Sequence, residues 1–249
     1  GIAGFGVIHG FPVQLIAALR DRGLRDLTIV CNSLGRDPAH PVSLVQAGQA
    51  SKLVAAFSAR AGGVAGSAAA LSPVPLDVEI VPQGVLVERL RAVAAGIGAF
   101  YSPVGEDTVV TDGKERREID GRTYVLEQPI HLDYAFIYAH KADRAGNVCF
   151  RGTSQNFGPS FAKGARTVVV EVDELAEIGD IDPGDVDLPG IFVDRVVLRE
   201  RKADPLWRIP REPAEARTYL GKVGRTATQM AQRIADLLPD GGYVNLGVG

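Results

Sequence analysis

Leu27-Thr28-Ile29-Val30-Cys31 shows no in–out alternation, and this run constrains the fold more than any other stretch. A strand with one wet face alternates apolar and polar residues. A continuous apolar run needs cover on both faces, the condition of an inner strand in an α/β sheet. The flanking sequence supplies that cover. Pro12 stands where a first-turn proline is tolerated, Leu15, Ile16 and Leu19 mark one helical face, and Gly23 is the stop. Lys52 to Ser58 and Asp77-Val78-Glu79-Ile80-Val81 are further strand candidates. After the break Pro82-Gln83-Gly84, the residues Leu86, Leu90, Val93 and Ile97 are spaced to share one helix face. The Ala/Gly-rich stretch Ala59 to Ala70 carries no assignment.

The middle of the chain changes character. Lys114 to Tyr124 alternates around Asp120-Gly121, a hairpin signal. Ala135 to Ala139 and Val148 to Phe150 flank a second turn, Asp143 to Asn147, and Thr167 to Val172 and Ile191 to Leu198 are strand candidates. Glu171, Asp173 and Glu174 read as a charged strand end or helix start. Parallel βα units followed by hairpins predict an α/β fold with a mixed, mostly parallel sheet and flanking helices.

From Arg199 to Lys222 the composition turns to Arg, Glu, Pro and Ala, as in a linker. Thr226-Ala227-Thr228-Gln229 then has capping-box spacing, Ala227, Met230, Ile234 and Leu237 form a helical stripe, and Pro239 to Gly242 end it. Tyr243 to Gly249 read as a buried strand entering a glycine loop. The expected organisation is a domain over 1–200, a linker over 201–222, and the start of a second, similar domain over 223–249. Because Gly1 to Gly6 lacks an initiator Met and opens inside a strand-to-loop passage, the expectation is an internal piece of a longer polypeptide.

Composition excludes several classes. Of 249 residues, 46% are hydrophobic and 23% charged, with a formal net charge of -3, so nothing predicts nucleic acid or an anionic membrane as partner. Apolar runs fall far short of the roughly 20 residues that span a bilayer. With no signal peptide visible, a cytoplasmic setting is expected. Cys31 and Cys149 are far apart and read as two buried reduced thiols. His9, His40, His131 and His140 show no ligand spacing, so no metal is predicted, and no Gly-x-Ser-x-Gly elbow supports a serine hydrolase.

Three features point to a site. The glycine segment from Ala3 to Pro12 could let backbone N–H groups approach an anion, although such loops also serve tight packing. Gln83 follows a buried strand and opens a helix, where α/β sheets bind ligands, and its amide can offer an N–H to a carbonyl or carboxylate oxygen. It could equally tie down its own turn. Asn32 follows the Leu27–Cys31 strand and Asn245 lies within the last one, both near candidate crevice positions, although a single Asn after a strand is also a common turn residue.

Taken in order, these pieces resemble the family I coenzyme A transferases of 3-oxoacid type. The resemblance runs through Gly4-Phe5-Gly6 to Gly10-Phe11-Pro12, Asp26-Leu27-Thr28 with Asn32-Ser33, Pro82-Gln83-Gly84 and Leu86 to Arg91. It continues through Ala95 to Pro103, Lys114 to Glu118, Lys141 to Asn147 and Pro189 to Val197, and Tyr243 to Gly249 look like the opening of the family's β half. Ala3 replaces a family glycine, the loop is one residue longer around His9, Ser33 replaces a second Asn, and Asp37 to Ser72 matches poorly.

The resemblance implies a CoA-transferase-like, ribose-phosphate-isomerase-like fold and a ping-pong transfer of CoA through a glutamyl-CoA thioester. The glutamate would lie beyond the position of Asn245, leaving residues 1–249 inactive alone. It makes Gln83 and Asn245 the oxyanion and positioning amides. Asn32, Gly4, Phe5, Gly6, Gly84, Gly247 and Gly249 would line the substrate pocket. It implies no bound cofactor, a CoA thioester and a carboxylic acid as substrates, and a homo-oligomer of the complete fused chain. An acyl-CoA hydrolase on the same scaffold and a ligand-sensing module are the alternatives.

Overall fold

The computed structural model describes residues 1–6, 10–35, 38–57, 68–200, 218–219, 222–223 and 225–238. Helix α1 (Val13–Asp21) leads into strand β1 (Leu27–Ser33), α2 (Val42–Gln46) into β2 (Ala50–Phe57), and α3 (Ala68–Leu71) into β3 (Asp77–Ile80). These strands lie parallel in the order β1-β2-β3. The apolar run in β1 is buried from Ile29 through Ser33. Its side chains divide by the strand period: Val30 joins a core with Leu86, Leu90 and Phe161, while Ile29 and Cys31 join one with Ile16, Leu44 and Val45. The sheet is therefore covered on both faces, as the run predicts.

Helix α4 (Gln83–Ala94) buries Val85, Leu86, Leu90 and Ala92. The predicted stripe reached Ile97, but the helix ends earlier. Gly96 takes a left-handed φ of 66° and the chain turns Ile97 out to solvent. Strands β4 (Phe100–Ser102), β5 (Arg116–Ile119) and β6 (Arg122–Glu127) form a separate antiparallel sheet in the order β4-β6-β5. Asp120 and Gly121 sit at φ 51° and 74°, the signs a type I′ hairpin turn requires. This hairpin stands apart from the main sheet instead of extending it.

Strands β7 (Leu132–Asp143) and β9 (Ala165–Ala176) pair in parallel and run longer than the sequence suggested. Between them come β8 (Val148–Cys149), antiparallel to β7, and helix α5 (Gly158–Lys163). The turn before β8 is built on the Asp143 carboxylate, which accepts from the N–H groups of Ala145 and Asn147 at 2.9 Å each. Strand β10 (Arg195–Leu198) is shorter than the predicted Ile191 to Leu198, because Gly190–Phe192 forms a 3-10 turn.

Ile2 joins the two halves of the sheet. It bridges Cys31 of β1 and Phe136 of β7, with its N–H donating to Val30 O at 2.8 Å and that of Ala3 to Phe136 O at 3.0 Å. The order is β3-β2-β1, then Ile2, then β7-β9-β10. Strand order thus reverses about Ile2, and such a switch point opens a crevice at the carboxyl ends.

The chain divides into two units, Gly1–Lys202 and Ala203–Gly249. In the second, β11 (Thr218–Tyr219) pairs antiparallel with β12 (Lys222–Val223), across the end of the stretch expected as linker. Helix α6 (Ala227–Ala235) carries the predicted capping box: Gln229 N–H donates to Thr226 Oγ1 at 3.2 Å and Thr226 N–H to Gln229 Oε1 at 3.0 Å. Leu237 lies past its end. Among the described residues, no helix is long and apolar enough to cross a membrane.

Candidate functional site

The crevice at the switch point gathers three segments that are remote in sequence. β1 delivers Asn32 at its carboxyl end, β3 is followed by Pro82 and by Gln83 at the first position of α4, and the glycine segment leaves the sheet after Ala3. Gln83 Nε2 donates to Asn32 Oδ1 at 2.8 Å. Asn32 is 0% exposed, and among the described residues its Nδ2 has no hydrogen-bond partner. A buried donor left unpaired costs about 1–3 kcal/mol, so such groups call for an explanation. Here the amide pair is polarised: Gln83 feeds the Asn32 oxygen, and the Asn32 N–H remains for another acceptor.

Next to this pair lies a cleft of about 400 Å³ whose lining includes Gln83, Gly84, Phe100, Ser102, Val104 and Phe157. A Cβ added at Gly84 would meet nothing within 4 Å, so packing does not require that glycine. Glu88 also lines the cleft, and its carboxylate accepts from Arg91 Nε and Nη2 at 2.9 and 2.6 Å. Walls that are mostly apolar with the Gln83 amide at one place suit an acyl chain that ends in a carbonyl.

The glycine segment has two different characters. A Cβ on Gly4 would lie 2.2 Å from the Phe11 ring, so this glycine has a packing reason. Gly6, at φ 62°, faces open space, and its carbonyl accepts from Ser33 Oγ at 2.6 Å. The Phe5 ring meets Phe157 edge-on at 5.9 Å. Of the residues expected to form the site, Asn32, Gln83 and Gly84 come together directly. Phe5 and Gly6 are tied to them through Phe157 and Ser33. His9, Asn245, Gly247 and Gly249 lie outside the described residues.

Sequence reasoning missed Phe157 and the tether role of Ser33. Ser33 was noted only as a departure from an Asn-Asn pattern, yet a hydroxyl one residue beyond Asn32 is itself a signal of loop anchoring.

Neither cysteine supplies a nucleophile. Burial pushes the Cys31 thiol up to about 12 and raises that of Cys149, which is half-buried instead of fully buried as expected. At pH 8 a thiol of pKa about 12 is ionised in about one molecule in ten thousand. Native protein exposed to iodoacetamide at pH 8 should therefore keep Cys31 unmodified, read by peptide mass, while denatured protein is labelled. Labelling of Cys31 in the native state would show that the end of β1 opens. Among the described residues, no group of three or more His, Cys, Asp or Glu could hold a metal ion.

Comparison with known proteins bears on this geometry. The family described as coenzyme A transferase matches residues 1–199. A subunit of 3-oxoadipate CoA-transferase from Pseudomonas putida is 44% identical over 196 residues, covering 79% of this chain and 84% of that subunit. Human mitochondrial succinyl-CoA:3-ketoacid coenzyme A transferase 2 is 35% identical over 274 residues, covering 100% of this chain, which spans 50% of that relative. An acyl-CoA transferase from E. coli O157:H7, solved as a thioester complex with CoA, superposes with a TM-score of 0.67 at 23% identity, over 81% of this chain and 43% of that one, a likeness of fold.

Proposed function

The chain belongs to the coenzyme A transferase family, and on that premise we propose that it transfers CoA from an acyl-CoA to a 3-oxoacid by way of a glutamyl-CoA thioester. The observation that carries this reading is the polarised amide pair beside the cleft, with Asn32 Nδ2 buried and without an acceptor among the described residues. N–H groups so placed suit an oxygen that gains charge when a carboxylate adds to a thioester carbonyl.

Residues 1–200 are the α-type domain, 201–222 the connection, and 223–249 the opening of a β-type domain. The nucleophile is a glutamate that we place in the β-type half, outside residues 1–249. Its carboxylate attacks the thioester carbonyl, the C–S bond breaks, and CoA leaves as thiolate from a mixed anhydride. The thiolate then attacks the glutamyl carbonyl and expels the first acid as carboxylate. The acceptor carboxylate reverses these two steps, and the glutamate is restored.

Each addition passes through a tetrahedral oxyanion. In this reading Gln83 and Asn245 donate to oxyanion or carboxylate oxygens. Asn32 lines the pocket with Gly4, Phe5, Gly6, Gly84, Gly247 and Gly249. CoA enters as a substrate and not as a resident cofactor. The complete protein works as a homo-oligomer in the cytoplasm.

The test uses the complete enzyme with succinyl-CoA and acetoacetate or 3-oxoadipate. We expect 3-oxoacyl-CoA to form in step with succinate, and succinyl-CoA alone to leave an adduct of CoA mass on the protein. Free CoA released stoichiometrically without any acceptor would overturn the reading in favour of hydrolysis.

A further inference from the structure

Helix α1 starts without a side-chain cap of its own, because Pro12 occupies the N-cap position. Its first N–H groups are instead satisfied from 157 residues away: Gln14 N–H donates to Glu171 Oε2 at 2.9 Å, and Leu15 N–H donates to the same oxygen at 3.0 Å. Glu171 is 0% exposed, which corrects its reading as a charged strand end. Its other oxygen accepts from Arg199 Nε at 2.5 Å. Arg199, read from sequence as the start of the linker, is buried, and its Nη2 donates to Phe11 O at 3.2 Å.

Arg199 is itself held from further sides. Its guanidinium lies 4.3 Å over the Tyr138 ring, and its Nη1 is 3.6 Å from Asp173 Oδ1. Tyr138 Oη donates to Asp173 Oδ2 at 2.6 Å. One residue on, Glu200 N–H donates to the Gln14 side chain at 3.2 Å. The pair therefore grips both the carbonyl that ends the glycine segment and the amides that begin α1. From there the contact reaches the site, because the Phe11 ring fills the space where a Gly4 side chain would be and lies 4.5 Å from the His40 ring.

We propose that Glu171 and Arg199 are positioning residues for the glycine segment, fixing its Phe11 end from β9 and from the residue that follows β10, while Ser33 fixes Gly6 from β1. A buried ion pair is a poor source of net stability but holds a defined geometry, since an apolar pair could not bond both a carbonyl and two amides. The value of that geometry to catalysis rests on the CoA-transfer reading. The hydrogen-bond clamp itself does not.

The experiment compares the complete enzyme with its Glu171→Leu/Arg199→Met double variant, which removes both charges together and leaves the Gln14 and Leu15 amides without their side-chain acceptor. Native-state hydrogen exchange should show the amides of Gln14 and Leu15 losing at least about tenfold protection while those of β7 keep theirs. The kcat/KM for acyl-CoA should fall by about tenfold to a hundredfold, the loss expected for a reacting group misplaced by about 1 Å. Arg199→Lys, which keeps the charge but not the fork, should fall between the two. Retained protection at Gln14 and Leu15 would overturn the proposal. Lost protection with kcat/KM within about twofold of wild type would overturn it too, because the clamp would then hold α1 and nothing more. Failure of the CoA-transfer reading is seen separately, in the wild-type enzyme, and the exchange arm still judges the clamp.

Discussion

Gln83→Ala in the complete enzyme should lower kcat/KM for acyl-CoA by about 10²–10³, the usual loss on removing one oxyanion donor. The side chain stands at the first position of α4 and lines the cleft, so it carries little packing. Ala is the best helix former, and no Gln83 side-chain bond caps the helix, so the fold should tolerate the change. A rate loss with an unchanged melting temperature would then report chemistry and not unfolding. The variant has a second consequence. Asn32 Oδ1 loses the donor at 2.8 Å, and the Asn32 amide is free to rotate away from the orientation that presents Nδ2. Part of the loss should therefore come from the neighbour. A loss below about threefold would remove Gln83 from the reacting centre, because neither effect could then be operating.

How much of this could be read in the sequence depended on the distance over which each feature is determined. The unbroken run in β1 predicted cover on both faces because that requirement is local to the strand. The Asp120-Gly121 turn and the Thr226–Gln229 box were legible for the same reason, since each satisfies its own backbone within a few residues. Asn32 and Gln83 were located through their strand-end positions, although nothing in the sequence said that they touch across 51 residues. Glu171 was misread because alternation along β9 makes it look like a surface residue, when the partner that buries it is a helix end 157 positions earlier. Arg199 was misread because charge and proline downstream of it dominate the local composition. Phe157, which meets Phe5 at the cleft, gave no signal, because an aromatic in a loop looks the same whether it covers a core or a ligand.

Asn32→Asp should be the most damaging single change, costing about 10³ or more in kcat/KM. The replacement is nearly isosteric, so the strand and cleft keep their shape, and Gln83 Nε2 still finds an acceptor. What changes is the other end of the group, where a donor becomes an acceptor at a 0% exposed position. An ionised carboxylate there would face the oxygen on which negative charge develops. Burial disfavours that ionised form, so the new carboxyl should titrate above its ordinary range. The sign follows directly: the penalty is largest at pH above the raised value and shrinks as pH falls through it, where the protonated acid can again donate. Residual activity of Asn32→Asp relative to wild type should therefore rise on acidification, while Asn32→Ala shows a flat ratio. The pair should also be coupled. Because Gln83 orients the Asn32 amide, the Gln83→Ala/Asn32→Ala enzyme should lose less than the product of the single losses. Strictly multiplicative losses would mean that the 2.8 Å hydrogen bond plays no part in presenting Nδ2. A pH-independent ratio for Asn32→Asp would place that group away from the charge that forms.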